Sequence, residues 1–381
     1  MGELMRRYWQ PIATVPDLDR EEVIRVRVLG ENLVLYKTTR GEIGLVQERC
    51  PHRLASLAYG IPDEEGLRCA YHGWYYNGEG HCLAQPYDDT ENPNNTFKDK
   101  IQITAYSVEK LGGLVWTYMG PQPAPLLRRF EHLVREAHRS VRTTKLPCNW
   151  LQCQENSADP AHFEWLHANR LNYTARKKGL PPVMTPGRTQ RLAFEVFEYA
   201  MYKRRIVEGD PPETSPDWLV GHPLLLPNWV VVGARYQFNV PIDDENTLHF
   251  ECSTRDVKEG EAPRFEVGQE PWHDEKGGFI TDTILGTDYM AWITQGPIAP
   301  RNYEHLGLVD KSVILYRQLL SENIAKVQRG EDPLGTIRDP AINESIHIKT
   351  EIDLGGGRRG FRRLENTTSP LEAAPPMPVV S

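Results

Sequence analysis

Cys50 and His52 stand two residues apart in CPHR, and Cys69 and His72 stand three apart in CAYHGW, with 16 residues between His52 and Cys69. Each pair falls at a turn after a strand-like run, so the four side chains are expected at the tips of two facing loops. Two thiolates and two neutral imidazoles that converge would hold a metal centre. Structural zinc usually draws on Cys-x2–4-Cys knuckles with the histidines elsewhere, whereas here each loop offers one Cys and one His. A [2Fe–2S] cluster of the Rieske kind takes two cysteines on one iron and two histidines on the other, and that division fits these loops. Neutral imidazoles in place of two thiolates lower the cluster's negative charge and raise its potential relative to a four-cysteine cluster. Gly73 lets the loop backbone approach the cluster closely, and Trp74 either covers it or is a core aromatic. His81 and Cys82 in GHCLAQP have no matching partner pair and read as structural.

A second constellation lies in ENSADPAHFEWLH, where Asp159, His162 and His167 give the spacing D-x2-H-x4-H. Two histidines with a distant carboxylate form the facial triad that leaves positions on Fe(II) open for oxygen. Such chemistry needs an electron supply, which the first constellation would provide. On a regular α-helix, at about 100° per residue, His162 and His167 point about 140° apart, whereas an i, i+4 pair is only about 40° apart. Joint ligation therefore predicts a bulge or break between them, and π-bulges concentrate at functional sites. The alternative is two histidines on different faces of an ordinary helix. The carboxylate must come from later sequence, where Asp282, Asp288, Glu304 and Asp310 are all available. Asp288 in GTDYMAWITQG has Trp292 and Gln295 at i+4 and i+7, which would put it on an inward-facing helix surface.

The elements that must position these groups are of two kinds. From about Glu22 to Met119 short alternating strands (EVIRVRVLG, NLVLYKT, IGLVQER, ITAYSVEK, GLVWTYM) predict a small antiparallel β domain, closed by the prolines of MGPQPAP. Beyond it, Asp159-Pro160 reads as a helix start, with Asp as N-cap and Pro at the first position. RLAFEVFEYAMYKRRIV, NWVVVGARYQFNVP and TLHFECSTRDV read as strands of an extended antiparallel sheet. Val313, Leu315, Leu319, Leu320, Ile324 and Val327 predict a long amphipathic helix over 310–329. The expected organisation is a β domain over 1–120, an α+β domain over 121–365 and a disordered Pro-rich tail over 366–381.

The length of 381 residues suits two domains. The balance of 44 basic against 52 acidic residues, net −8, has no long run of either sign and argues against a nucleic-acid surface. The absence of an apolar run of about 18 residues and of a signal-like N-terminus argues for a cytoplasmic, non-membrane protein. Six thinly spread cysteines make a disulfide framework improbable there.

Taken with MGELMRRYWQPIA, GLVWTYMGP, NWLQCQENSADPAHFEWLH and QGPIAPRNYEHLGLVDKSVILYRQLL, these motifs make nearly the whole chain resemble the α (oxygenase) subunit of Rieske non-heme iron aromatic-ring-hydroxylating oxygenases. EHLG followed by Asp310 resembles the phthalate-dioxygenase branch, which includes O- and N-demethylases; that branch usually carries a short segment ahead of MGEL. The resemblance implies a Rieske domain followed by a helix-grip domain, an antiparallel sheet around a long helix. It implies Asp288 as third iron ligand, and a homotrimer or stacked hexamer. It further implies that an NAD(P)H-dependent reductase, with or without a ferredoxin, feeds the cluster. From there electrons pass to mononuclear Fe(II), where O2 meets an aromatic substrate, carboxylated or phenolic. Asp159 would bridge His72 of one subunit and His162 of the next, and Asn156 would support the iron site, with Glu155 nearby in an unassigned role. Ring dihydroxylation and oxidative demethylation use the same irons and stay open at this point. A Rieske electron carrier without oxygenase chemistry is the competing class; it predicts about one domain and no second histidine pair.

Overall fold

Between Val23 and Val28, Arg25 and Arg27 face solvent while Val26 and Val28 are buried, the period-two pattern of a half-buried strand. The computed structural model describes residues 2–185 and 187–355, and in it this strand closes one edge of a six-stranded sheet. The order is Gln10–Thr14, Leu114–Tyr118, Ala105–Leu111, Ile43–Gln47, Glu31–Lys37, Val23–Val28. The sheet therefore begins before Glu22, because Gln10–Thr14 returns to pair with Leu114–Tyr118. A four-stranded sheet (Ile61–Pro62, Gly66–Arg68, Tyr75–Asn77, Cys82–Ala84) carries the loop of Cys69 and His72 between its middle strands.

The second half of the chain wraps an eight-stranded sheet around helices. Its order is Thr189–Phe197, Ala200–Val207, His222–Leu225, Trp229–Val232, Arg235–Pro241, Thr247–Arg255, His138–Leu146, Phe265–Gln269. All neighbours are antiparallel except the last pair, which is parallel. Two of the segments that read as strands of this sheet are each a hairpin of two strands. RLAFEVFEYAMYKRRIV turns between Phe197 and Ala200, and NWVVVGARYQFNVP turns at Gly233, whose φ of +58° suits a tight hairpin. The helix over 310–329 is present as Lys311–Gln328. It packs Tyr316, Leu319, Leu320 and Val327 into one cluster with Met201, Leu224 and Val230 of the sheet. The tail expected over 366–381 lies outside the described residues, and no helix among them is long and apolar enough to cross a membrane.

Aromatic packing joins the two halves. Trp116 of the first sheet meets Trp229 and Phe238 of the second with centroids 5.3 and 5.2 Å apart. On its other face, the eight-stranded sheet holds the helix Trp150–Ala158 through a buried polar network. Asn239 Nδ2 donates to Gln154 Oε1 (2.8 Å), His249 Nδ1 donates to Asn239 Oδ1 (2.8 Å), and Gln154 Nε2 donates to the Trp229 carbonyl (2.9 Å). Burial drives the His249 pKa down to about 3, so the ring is a neutral member of this network.

Asn239→Ala would leave Gln154 Oε1 and His249 Nδ1 without partners in a dry interior, at about 1–3 kcal/mol for each orphaned group. The thermal unfolding midpoint of the variant is expected to fall by several degrees with strand content unchanged at room temperature. An unaltered midpoint would show that the network does not hold the helix to the sheet.

Candidate metal centres

The two Cys/His loops share one backbone design. Leu54 N–H donates to the Cys50 carbonyl and Gly73 N–H to the Cys69 carbonyl, both at 2.8 Å. Cys50 N–H then reaches Ala55 O (2.9 Å) and Cys69 N–H reaches Trp74 O (2.8 Å). The fourth residue after each cysteine takes a left-handed conformation, φ +62° at Leu54 and +73° at Gly73, and that reversal turns each loop tip back on itself. The cysteines point into the core with Leu57, Leu67, Trp74 and Tyr76, while the histidines sit at the surface. The His52 and His72 rings lie 4.4 Å apart edge to face, and Trp74 stacks on His52 at 4.6 Å. Burial raises the Cys50 thiol above its ordinary range, and the nearby Cys69 adds to the rise. A positive centre is what holds such a pair as thiolates, so the donor set fits a Rieske cluster with its histidine side outward. His81 is exposed, and the Cys82 thiol donates to its own strand at Ala84 O (3.6 Å), as expected of structural residues.

The second centre depends on an irregular helix. Asp159 ends the helix Trp150–Ala158, and its carboxylate accepts from Ala161 N–H (2.7 Å) and His162 N–H (3.1 Å). Asp159 thus caps the turn, but the run that follows is not the ordinary helix of the N-cap expectation. Phe163–Asn169 is a π-helix, in which Arg170 N–H reaches the Trp165 carbonyl five residues back, before a regular helix resumes over Arg170–Lys177. The widened turn brings His162 and His167 onto one side. Their Nε2 atoms approach Asp288 Oδ1 at 3.9 and 3.4 Å, and one donor atom from each of the three residues lies within 4.8 Å of the others.

Asp288 comes from the helix Ile284–Ile293, with Trp292 buried beside it; Gln295 lies beyond that helix and is exposed, unlike the expected inward position. The other carboxylates are engaged elsewhere. Asp282 pairs with Lys178 (2.6 Å), Glu304 with Arg317 (2.8 Å), and Asp310 accepts from Gly307 N–H (2.7 Å). Glu155 accepts from Arg301 (2.9 Å) and Arg317 (2.6 Å), which makes it an anchor of the helix Trp150–Ala158 that precedes the two histidines. Asn156 stands near enough to Asp288 to temper the rise in its pKa.

Electrostatics favour a cation between these groups. Burial pushes both histidines below the ordinary imidazole range, His167 strongly, so they are neutral imidazoles, the form that ligates a metal. Burial pushes Asp288 well above the carboxylate range, against the pull of Lys203. Asp288 Oδ1 is buried with no hydrogen-bond partner, and a divalent ion is the partner that removes both penalties. The Thr287 hydroxyl donates to Ile284 O (2.7 Å) and so accepts from His167 Nδ1–H (3.0 Å), which turns His167 Nε2 toward Asp288.

Thr287, Lys203 and Arg205 were not anticipated from sequence. Lys203 Nζ donates to Ser157 O (2.6 Å), and burial lowers its pKa to about 8; Arg205 lies 4.2 Å over the Phe163 ring. The available signal was two cations at i, i+2 in YKRRIV, which share one face of a strand.

Residues 8–105 match the sequence family of the Rieske [2Fe-2S] domain. The chain is 42% identical over 355 residues to the 5,5'-dehydrodivanillate O-demethylase oxygenase subunit of a Sphingobium species, covering 92% of this chain and 82% of that one. It is 30% identical over 383 residues to the phthalate 4,5-dioxygenase oxygenase subunit of Pseudomonas putida, covering 88% and 85%. Among solved structures, NdmA of Pseudomonas putida CBB5 superposes with a TM-score of 0.64 at 18% identity, over 88% of this chain and 97% of that one, and so shares its fold.

Asp288→Ala is expected to lower iron content from about three to about two per chain while the visible spectrum of the cluster persists. Asp282→Ala should keep all the iron. If Asp282→Ala lost the iron and Asp288→Ala kept it, the triad would have to be redrawn.

Proposed function

As the chain belongs to the Rieske non-heme iron oxygenases and is an oxygenase subunit of a multicomponent system, we propose that it catalyses oxidative O-demethylation of a methoxylated phenolic aromatic acid. In this reading Cys50, His52, Cys69 and His72 hold the [2Fe–2S] cluster, and His162, His167 and Asp288 hold the mononuclear iron. The convergence of two neutral imidazoles and one buried carboxylate whose Oδ1 has no hydrogen-bond partner supports the iron assignment. The substrate class follows the similarity to the dehydrodivanillate O-demethylase subunit, whose substrate by its name carries methoxyl, phenolic and carboxylate groups.

When bound, the cluster supplies single electrons and the mononuclear iron supplies a site at which O2 is reduced beside the substrate. The overall change is ArOCH3 + O2 + 2e− + 2H+ → ArOH + HCHO + H2O, in which a methyl C–H is hydroxylated and the resulting hemiacetal collapses. The electrons come from an NAD(P)H-dependent reductase, directly or through a ferredoxin, in the cytoplasm. Thr287 fixes the orientation of His167, while Lys203 sets a positive charge near Asp159 and Asp288 and Arg205 is paired with Asp217 (3.1 Å). His52 and His72 face outward, which suits transfer out of the chain, and Asp159 faces both ways. Its carboxylate stands 3.5 Å from His162 Nδ1 and its side chain remains 23% exposed, so a second subunit in a trimer can reach it. Asp159 is then the bridge between His72 of one subunit and His162 of the next.

Formaldehyde is expected to appear in step with O2 uptake on methoxylated phenolic acids, and not on the corresponding plain acids. A cis-diol product without formaldehyde would move the protein to ring dihydroxylation. Asp159→Asn keeps a capping acceptor but removes the charge, and is expected to cut turnover about 10–100-fold with the cluster spectrum intact. Unchanged turnover would remove the bridging role.

A further inference from the structure

Glu251 is a buried acid that none of the roles above uses. It lies on the strand Thr247–Arg255, directly opposite Arg142 on one side and Gln237 on the other. Strand periodicity puts it on the same face as His249, and puts Arg142 on the same face as Thr144. His249 packs on Tyr289 and Trp292, and Thr144 contacts the Tyr289 hydroxyl at 3.5 Å. Glu251 therefore stands on the inner face, under the helix that carries Asp288, and its charge is close enough to raise the Asp288 pKa. It lies deep in the domain yet keeps part of its surface accessible, as a side chain lining an internal space does.

The polar groups around it are largely committed. Gln237, its cross-strand neighbour, partly offsets the effect of burial on the Glu251 carboxyl. Arg142 donates to Glu270 (2.8 Å), and Arg235 is exposed at the strand end. Glu251 Oε2 is shielded from solvent with no partner, a state that costs free energy unless something else completes it. We propose that Glu251 is a specificity-determining residue whose carboxylate accepts a hydrogen bond from the phenolic hydroxyl of the substrate. A substrate carboxylate is a poor alternative at this point, because it would place a further negative charge beside Glu251 and Asp288. A methyl ether has no proton to donate and would leave Oε2 unpartnered. Burial holds the Glu251 pKa up at about 7, so a hydroxyl donor would stabilise the ionised form where water does not.

The proposal rests on the reading of this site as an O-demethylase of phenolic methoxyaromatics, and its test uses binding so that the two can fail separately. Calorimetric titration of the anaerobic holoenzyme with 4-hydroxy-3-methoxybenzoate and with 3,4-dimethoxybenzoate compares a phenol with its methyl ether. Wild-type protein is expected to bind the phenol about 10–100-fold more tightly. Glu251→Leu should bring the ratio to within about twofold of unity, and Glu251→Gln, which keeps a neutral acceptor, should give an intermediate ratio. A wild-type ratio near one, or a ratio unchanged in Glu251→Leu with its cluster and iron retained, would overturn the proposal. Should Glu251→Leu fail to load its iron, the wild-type ratio and Glu251→Gln decide, and a ratio in Glu251→Gln equal to wild type would overturn it. Phenol discrimination that depends on Glu251 without formaldehyde release would support the assignment and refute demethylation.

Discussion

Two histidines five residues apart cannot face one metal from a regular α-helix, and the catalytic half of the chain is arranged around the departure that lets them. The π-helix Phe163–Asn169 replaces i→i+4 bonds with i→i+5 bonds, which trades helix stability for a wider turn. That trade needs supports on both sides. Asp159 accepts the two N–H groups at the entry, and the regular helix Arg170–Lys177 takes over at the exit. The preceding helix is tied to the sheet by Gln154 and Asn239, and through Glu155 to Arg301 and to Arg317 of the helix Lys311–Gln328. With those restraints in place, Asp288 can meet the two rings from a separate helix more than a hundred residues later.

The same region concentrates charge where water is scarce. Lys203, Asp159, Asp288 and Glu251 are all buried or half-buried; burial lowers the Lys203 pKa and raises those of Asp288 and Glu251, whereas His162 holds Asp159 below the ordinary carboxylate range against its burial. Perturbed groups that cluster in this way mark functional sites more often than structural ones. A protein that only carried electrons would have no use for them, and the oxygenase subunits to which this chain is related place its function with oxygen chemistry.

The candidate metal ligands were the most legible part of the sequence, because ligand chemistry restricts both residue type and spacing. The Cys/His quartet carried its own division into two loops, and the awkward spacing of His162 and His167 itself predicted the π-turn. Asp288 was not legible from spacing alone: the separation from Asp282 came from the family resemblance and from the structure, which commits Asp282 to Lys178. Hairpin turns within RLAFEVFEYAMYKRRIV and NWVVVGARYQFNVP were hidden because apolar residues continue through both turns, one of which has no glycine. Lys203, Arg205 and Glu251 carry no local sign that they are buried. Only the position of each strand in a closed, helix-filled sheet shows that their face is the inner one, and that information is not local.

The central claim is that one iron is shared by His162, His167 and Asp288 across the π-turn. Anomalous diffraction at the iron edge from crystals of the holoenzyme tests it most directly. The account predicts a close pair of iron peaks between the Cys50–His52 and Cys69–His72 loops, and a single isolated peak within ligand distance of all three triad residues. An isolated peak bound by only one of the two histidines, or one that takes its carboxylate from a residue other than Asp288, would contradict it.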